Sequence, residues 1–123
     1  YHITPEGIFQ ISRDHSVVEN MVAKGDLTPL EARTHPNRNL ITRALGPDIH
    51  AKADTFELPW HKDEFLLLCS DGLVNTVSDQ EMLFEVLHDG DVNECLDHLL
   101  QISLQRGAPD NITAVLLLNE EGR

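Results

Sequence analysis

The chain has 123 residues, 41% apolar and 24% charged, which fits one globular domain or a piece of one and excludes a disordered or low-complexity polypeptide. Nine Lys and Arg against 21 Asp and Glu give a net charge of −12. That balance disfavours nucleic acids and anionic membranes, which both need a basic surface.

The longest apolar run, residues 114–118, is far short of the roughly 20 residues that span a bilayer. The charge is uneven. Residues 1–62 carry seven basic and eight acidic side chains, whereas residues 63–123 carry two and 13, a net −11. The acidic half is either a solvated surface or a region that attracts cations. Cys69 and Cys95 form no CxxC pair, so reduced thiols and a cytoplasmic location are expected. The chain opens Tyr1-His2-Ile3 without Met, as expected of a piece of a longer protein.

Residues 1–11 predict a hairpin, with turn chemistry at Thr4-Pro5-Glu6-Gly7. Ser16 and Glu19 make a capping-box pattern before a short helix that buries Val17, Val18, Met21 and Val22 and stops at Gly25. Thr28-Pro29-Leu30-Glu31 opens a second short helix, ended by His35-Pro36. Residues 37–45, carrying Arg38 and Arg43, fit a short helix or a turn. Alternation over residues 49–58 predicts a strand. Phe65 to Cys69 is a continuous apolar run, which predicts a strand buried on both faces. Ser78 and Glu81 cap a helix bearing Met82, Leu83, Val86 and Leu87. A longer helix follows from about residue 92 to 106, with Cys95, Leu96, Leu99, Leu100 and Ile102 inward, and residues 111–118 form a last strand. The order β-β-α-α-β-β-α-α-β with hairpin-like neighbours indicates an α+β fold built on antiparallel sheet flanked by helices.

Two carboxylates stand out by position. Asp71 follows the apolar strand and precedes Gly72, and Asp110 precedes Asn111 at the mouth of the last strand. Carboxylates at neighbouring strand ends converge and suit Mg²⁺ or Mn²⁺, hard ions that take oxygen ligands. Asp-Gly and Asp-Asn are equally ordinary turn chemistry. Seven histidines come without HExxH or paired-cysteine spacing, so structural roles are expected of them, His15 included. Arg38 and Arg43 fit a contact to phosphate or an acidic stretch, or a structural ion pair. Cys69 reads as a small buried hydrophobe, and Trp60 as an anchor for packing or for a partner.

Phe65-Leu66-Leu67-Leu68-Cys69-Ser70-Asp71-Gly72-Leu73 resembles the strand-and-SDG motif of the metal-dependent type 2C (PPM) serine/threonine protein phosphatases. Gly107-Ala108-Pro109-Asp110-Asn111-Ile112-Thr113 resembles their GxxDNxT motif. The segment from His35 to Gly46 looks like the HPxRNxITRALG stretch of the bacterial members, and Arg13-Asp14-His15-Ser16 like their RDHS element. The resemblance implies an α-β-β-α sandwich of which only the C-terminal half is present, with residues 1–123 one portion of a single catalytic domain and a flap-like segment at about 16–45. It implies hydrolysis of phosphoserine and phosphothreonine in protein substrates by metal-activated water, with no covalent catalytic residue. Asp71 and Asp110 would be ligands of a binuclear Mg²⁺ or Mn²⁺ centre, and Gly72 and Asn111 would shape the turns that aim them. The family's DGxGGH motif, early acidic ligand and phosphate-binding Arg have no counterpart in these residues. The chain alone is therefore expected to be inactive and to need the N-terminal half. Exposed sheet would favour self-association. The alternative is a catalytically empty regulatory or interaction module on the same fold.

Overall fold

A short antiparallel hairpin opens the chain: β1 (His2–Thr4) pairs with β2 (Gly7–Phe9), His2 opposite Phe9. The computed structural model describes residues 1–121, which fall into two compact units. The first comprises residues 1–11 and those from Leu58 onward; the second is Ser12–Glu57.

In the first unit, β1 also pairs with β3 (Phe65–Cys69), and β3 with β4 (Ala114–Leu118). All three pairings are antiparallel, giving one four-stranded sheet of order β2-β1-β3-β4. Directly opposed residues share a face, so Ile3, Phe65, Leu67, Leu116 and Leu118 point one way and Leu66, Leu68, Val115 and Leu117 the other. Three helices pack on the first face: α3 (Asp71–Val74), α4 (Asp79–His88) and α5 (Val92–Gln105). Ile3, Leu67, Leu73, Val77, Met82, Val86, Cys95 and Leu99 form the buried core.

The second face is open. Leu68 is 56% exposed, and Val115 and Leu117 are 49% and 42% exposed. The continuous apolar run of β3 is thus buried on one side only, against the sequence expectation. The apolar content of both faces is real, but every helix of this unit lies on one of them. The inward stripe of α5 is Cys95, Leu99 and Ser103, at a spacing of four, which leaves Leu100 41% exposed. Ser103 is fully buried on this stripe, and its hydroxyl is satisfied there by the Thr76 hydroxyl. Both capping residues of α4 act as read: the Ser78 hydroxyl accepts from the Glu81 N–H and the Glu81 carboxylate accepts from the Ser78 N–H.

In the second unit, α1 (Val17–Ala23) is capped by the Ser16 hydroxyl and α2 (Pro29–Arg33) by a Thr28–Glu31 capping box. Residues 37–45 form turns, tied back by a bridge between Ser16 and Ile41. Residues 49–58 are not a strand. Their alternation is genuine, but strand preference reflects packing on a pleated neighbour, and among the described residues no strand pairs with them. Ile49 is 93% exposed, and the carboxylate of Asp54 is engaged by side chains instead.

Candidate metal site at the ends of β3 and β4

The register that pairs Cys69 with Ala114 sets the end of β3 beside the start of β4. Past that pair the two chains stay joined. The Ser70 N–H donates to the Thr113 carbonyl at 2.8 Å, and the Thr113 N–H returns a 3.0 Å bond to the Ser70 hydroxyl. That hydroxyl also donates to the Asn111 carbonyl at 3.4 Å. Gly72 follows in buried surroundings, where a Cβ would fall 2.1 Å from the Asn111 carbonyl oxygen. The glycine is there for close approach of backbones. Asp71 and Asp110 are the residues immediately before the two that touch, Gly72 and Asn111. Both are exposed.

Asp71 is the first residue of α3, and the Asp110 carboxylate accepts the N–H of Asn111 at 2.7 Å. The turn carrying Asp110 begins where α5 ends, with Gly107 at φ 95° and Ala108 at φ 34°. Arg106 fixes this end. Its guanidinium bonds both oxygens of Glu81, at 3.0 and 2.6 Å, and donates to the Thr76 carbonyl at 2.7 Å. The bond from Arg106 holds the Glu81 carboxyl far below its usual range, at about 2, and Glu81 in turn raises Arg106. Since Thr76 lies just past α3, the ends of α3, α4 and α5 are joined through one guanidinium. No motif singled out Arg106 or Thr76; their only sequence signal was that Arg106 is the sole basic residue between Lys62 and Arg123.

Two carboxylates are hard oxygen donors of the kind Mg²⁺ and Mn²⁺ take. Asp71 and Asp110 fit as part of such a ligand set and do not complete one. Among the described residues, the one group of three or more metal-type side chains lies elsewhere, at Glu85, Asp89 and His98.

The second unit holds the two candidate arginines. The Arg43 guanidinium donates to Asp54 at 2.9 Å, and the other oxygen of Asp54 meets His15 Nε2 at 2.7 Å. His15 and then Arg43 hold the Asp54 carboxyl below its usual value. Arg38 donates to the carbonyl of His35 at 3.3 Å. Other histidines also have structural partners: His2 meets Glu64 at 2.8 Å, and His35 accepts the Asn37 N–H. Trp60 donates to the Glu64 carbonyl, anchoring the turn before β3. Both cysteines are free thiols, and burial pushes that of Cys95 up to about 12. No described helix is long and apolar enough to cross a membrane.

No family model matches the sequence. Known proteins do. The chain is 35% identical over 117 residues to the serine/threonine phosphatase Stp of Listeria monocytogenes, covering 93% of this chain and 46% of that one. The structure of serine/threonine phosphatase Stp1 from Staphylococcus aureus superposes with a TM-score of 0.90 at 38% identity, over 98% of this chain and 47% of that one. The catalytic domain of the phosphatase PstP, solved in complex with two manganese ions, gives a TM-score of 0.76 at 34% identity over 94% of this chain and 47% of that one. The chain thus spans about half the length of the curated relatives it matches. By sequence and by fold it is similar to bacterial PPM-type serine/threonine phosphatases, over about half of their length.

Proposed function

We propose that the chain is the C-terminal part of a protein phosphatase that hydrolyses phosphoserine and phosphothreonine in protein substrates. The observation that carries this reading is the contact of Gly72 with Asn111, which brings the turns bearing Asp71 and Asp110 together at adjacent strand ends. Asp71 and Asp110 serve as ligands of a Mg²⁺ or Mn²⁺ centre, as part of a set that other residues complete. Such ions, when bound, supply Lewis-acid activation of water and of the phosphoryl oxygens. Gly72 and Asn111 hold the turn backbones, and Ser70 keeps the two strand ends from parting. Residues of about 16–45 act as a flap, within one catalytic domain that takes in residues 1–123. Arg38 and Arg43 offer contacts there to phosphate or to acidic stretches of substrate. A cytoplasmic location agrees with the two free thiols.

The decisive assay is Mn²⁺-dependent hydrolysis of a phosphothreonine peptide, on this chain and on the natural protein with any upstream segment it carries. The expected result is turnover by the natural protein, its loss on Asp71→Ala or Asp110→Ala, and negligible turnover by the chain alone. A folded, Mn²⁺-supplied natural protein without turnover would move the reading to a regulatory module on the same fold.

The open sheet face, with Leu68, Val115 and Leu117, seats a second sheet in the intact domain and a second copy when the chain is alone. Light scattering over a concentration series is expected to show self-association, and a monomer throughout would refute it.

A further inference from the structure

The hairpin of α4 and α5 gathers three ligand-type side chains away from Asp71 and Asp110. Glu85 stands one helical turn before Asp89, the residue that ends α4, and His98 faces them from α5. His98 Nδ1 lies 2.7 Å from an oxygen of Asp89 and 3.7 Å from an oxygen of Glu85, and the donor atoms of all three lie within 4.8 Å of one another. Ligand atoms about 2.0–2.2 Å from a tetrahedral ion sit roughly 3.3–3.6 Å apart. The observed spacings bracket that range, so small side-chain rotations would close the site.

Two further observations favour a cation here. Residues 63–105 contain no Lys or Arg, while Asp91, Glu94 and Asp97 add carboxylates to the same hairpin. Glu85 and Asp89 therefore have no fixed cationic side chain nearby in sequence, although their side chains are only 23% and 14% exposed. Space lies alongside as well, next to Asp89 of the cluster. A cavity of about 270 Å³, lined by Asp89, Asp91, Cys95, Phe65 and Leu118, opens beside the cluster. Phe65 and Leu118 are the pair at the far end of the β3–β4 ladder from Cys69 and Ala114, so the cluster and the Asp71–Asp110 turns lie at opposite ends of the sheet.

We propose that Glu85, Asp89 and His98 bind a divalent first-row transition ion of zinc's class, at a site separate from the Asp71–Asp110 pair. The imidazole selects such an ion over Mg²⁺, which prefers an all-oxygen shell. Three protein ligands leave the fourth tetrahedral position to water. The ion joins α4 to α5 across the Asp89-Gly90-Asp91 turn. It therefore stabilises the folded chain by mass action.

The test is titration with Zn²⁺ by calorimetry and with Co²⁺ by visible absorption, in the Asp71→Asn, Asp110→Asn double variant so that the strand-end pair does not contribute. The expected result is one ion per chain, a rise in Tm with Zn²⁺ but not with Mg²⁺, and at least tenfold weaker binding in His98→Gln and in Glu85→Gln. Unchanged metal-free melting of these variants will show that the fold is intact, and His88→Ala, a neighbouring exposed histidine, is expected to bind as before. Absence of saturable Zn²⁺ binding would overturn the proposal. So would binding that survives His98→Gln, or a thiolate charge-transfer band with Co²⁺.

Discussion

Gly72→Ala separates two opposed expectations. Gly72 sits inside α3, where alanine is the better helix former by about 1 kcal/mol, so propensity alone predicts stabilisation. Packing predicts the reverse. The new methyl would stand 2.1 Å from the Asn111 carbonyl oxygen, 3.0 Å from its carbon and 3.3 Å from Cγ1 of Ile112. An ordinary carbon contact lies near 3.5 Å, so the two turns must part by more than about 1 Å. The obstacle is backbone, bound to Ser70 and held in register by β4, and no rotamer relieves it. Overpacking of this kind costs about 1–3 kcal/mol, which outweighs the propensity gain. Taking the middle of that range, a net loss of about 1 kcal/mol would lower Tm by roughly 4 °C at this chain length. Urea unfolding followed by Trp60, which reports the unit containing the sheet, should show a lower midpoint at unchanged slope. In the natural protein the same variant should lose Mn²⁺ affinity, because the turns bearing Asp71 and Asp110 move apart. An alanine variant as stable as the parent would refute the close approach and, with it, the argument that Gly72 sets the site.

The Glu81–Arg106 pair makes a pH prediction. The Glu81 carboxyl lies at about 2 in the fold against an ordinary 4.5, chiefly through its bond to Arg106. A depressed acid contributes stability that is fully present above its unfolded value and is lost as pH falls through its folded value. The pair's share should therefore disappear between about pH 4.5 and 2. Glu81→Gln should flatten the acid limb of the stability curve in that window, and since the Glu81 side chain is 37% exposed the difference should shrink in high salt. Equal acid limbs in the two proteins would refute it. Ser70→Ala removes the acceptor for the Thr113 N–H and should cost about 1 kcal/mol. Its more direct readout is faster exchange of the Thr113 amide, and unchanged protection there would show that the hydroxyl does not join the strand ends.

What was legible in the sequence was local. Of the three capping-box patterns, those at Thr28–Glu31 and Ser78–Glu81 form in both directions as read, and at Ser16–Glu19 the Ser16 hydroxyl caps the helix without the reciprocal bond. The apolar run from Phe65 to Cys69 is a strand, and α5 ends within a residue of the expected place. Failures came where a distant partner decides. Residues 49–58 have the alternation of a strand, but among the described residues no strand pairs with them, and Asp54 is bound by His15 and Arg43 instead. The burial of Leu68 likewise depends on what covers the second face of the sheet, which no pattern within β3 encodes.

The same distinction governs the candidate site. Asp71 and Asp110 are separated by 38 intervening residues, and composition offered only that each precedes a turn residue. Motif resemblance singled out the pair, but the physical reason that the turns next to them meet lies in Gly72 and Ser70, with Arg106 bracing the end of α5 from which one turn leaves. Of these, Gly72 was named through the motif resemblance alone, as a residue that shapes its turn. Arg106 was not, because its roles are set by Glu81 and the Thr76 carbonyl, 25 and 30 residues away. The cluster of Glu85, Asp89 and His98 was hidden for a similar reason. Its spacing across a helical hairpin follows no short metal motif, and it becomes visible only when α4 and α5 are laid side by side. Side chains that position a site from a neighbouring element leave little trace in one sequence, whereas those on the turn itself are marked by the turn's own chemistry.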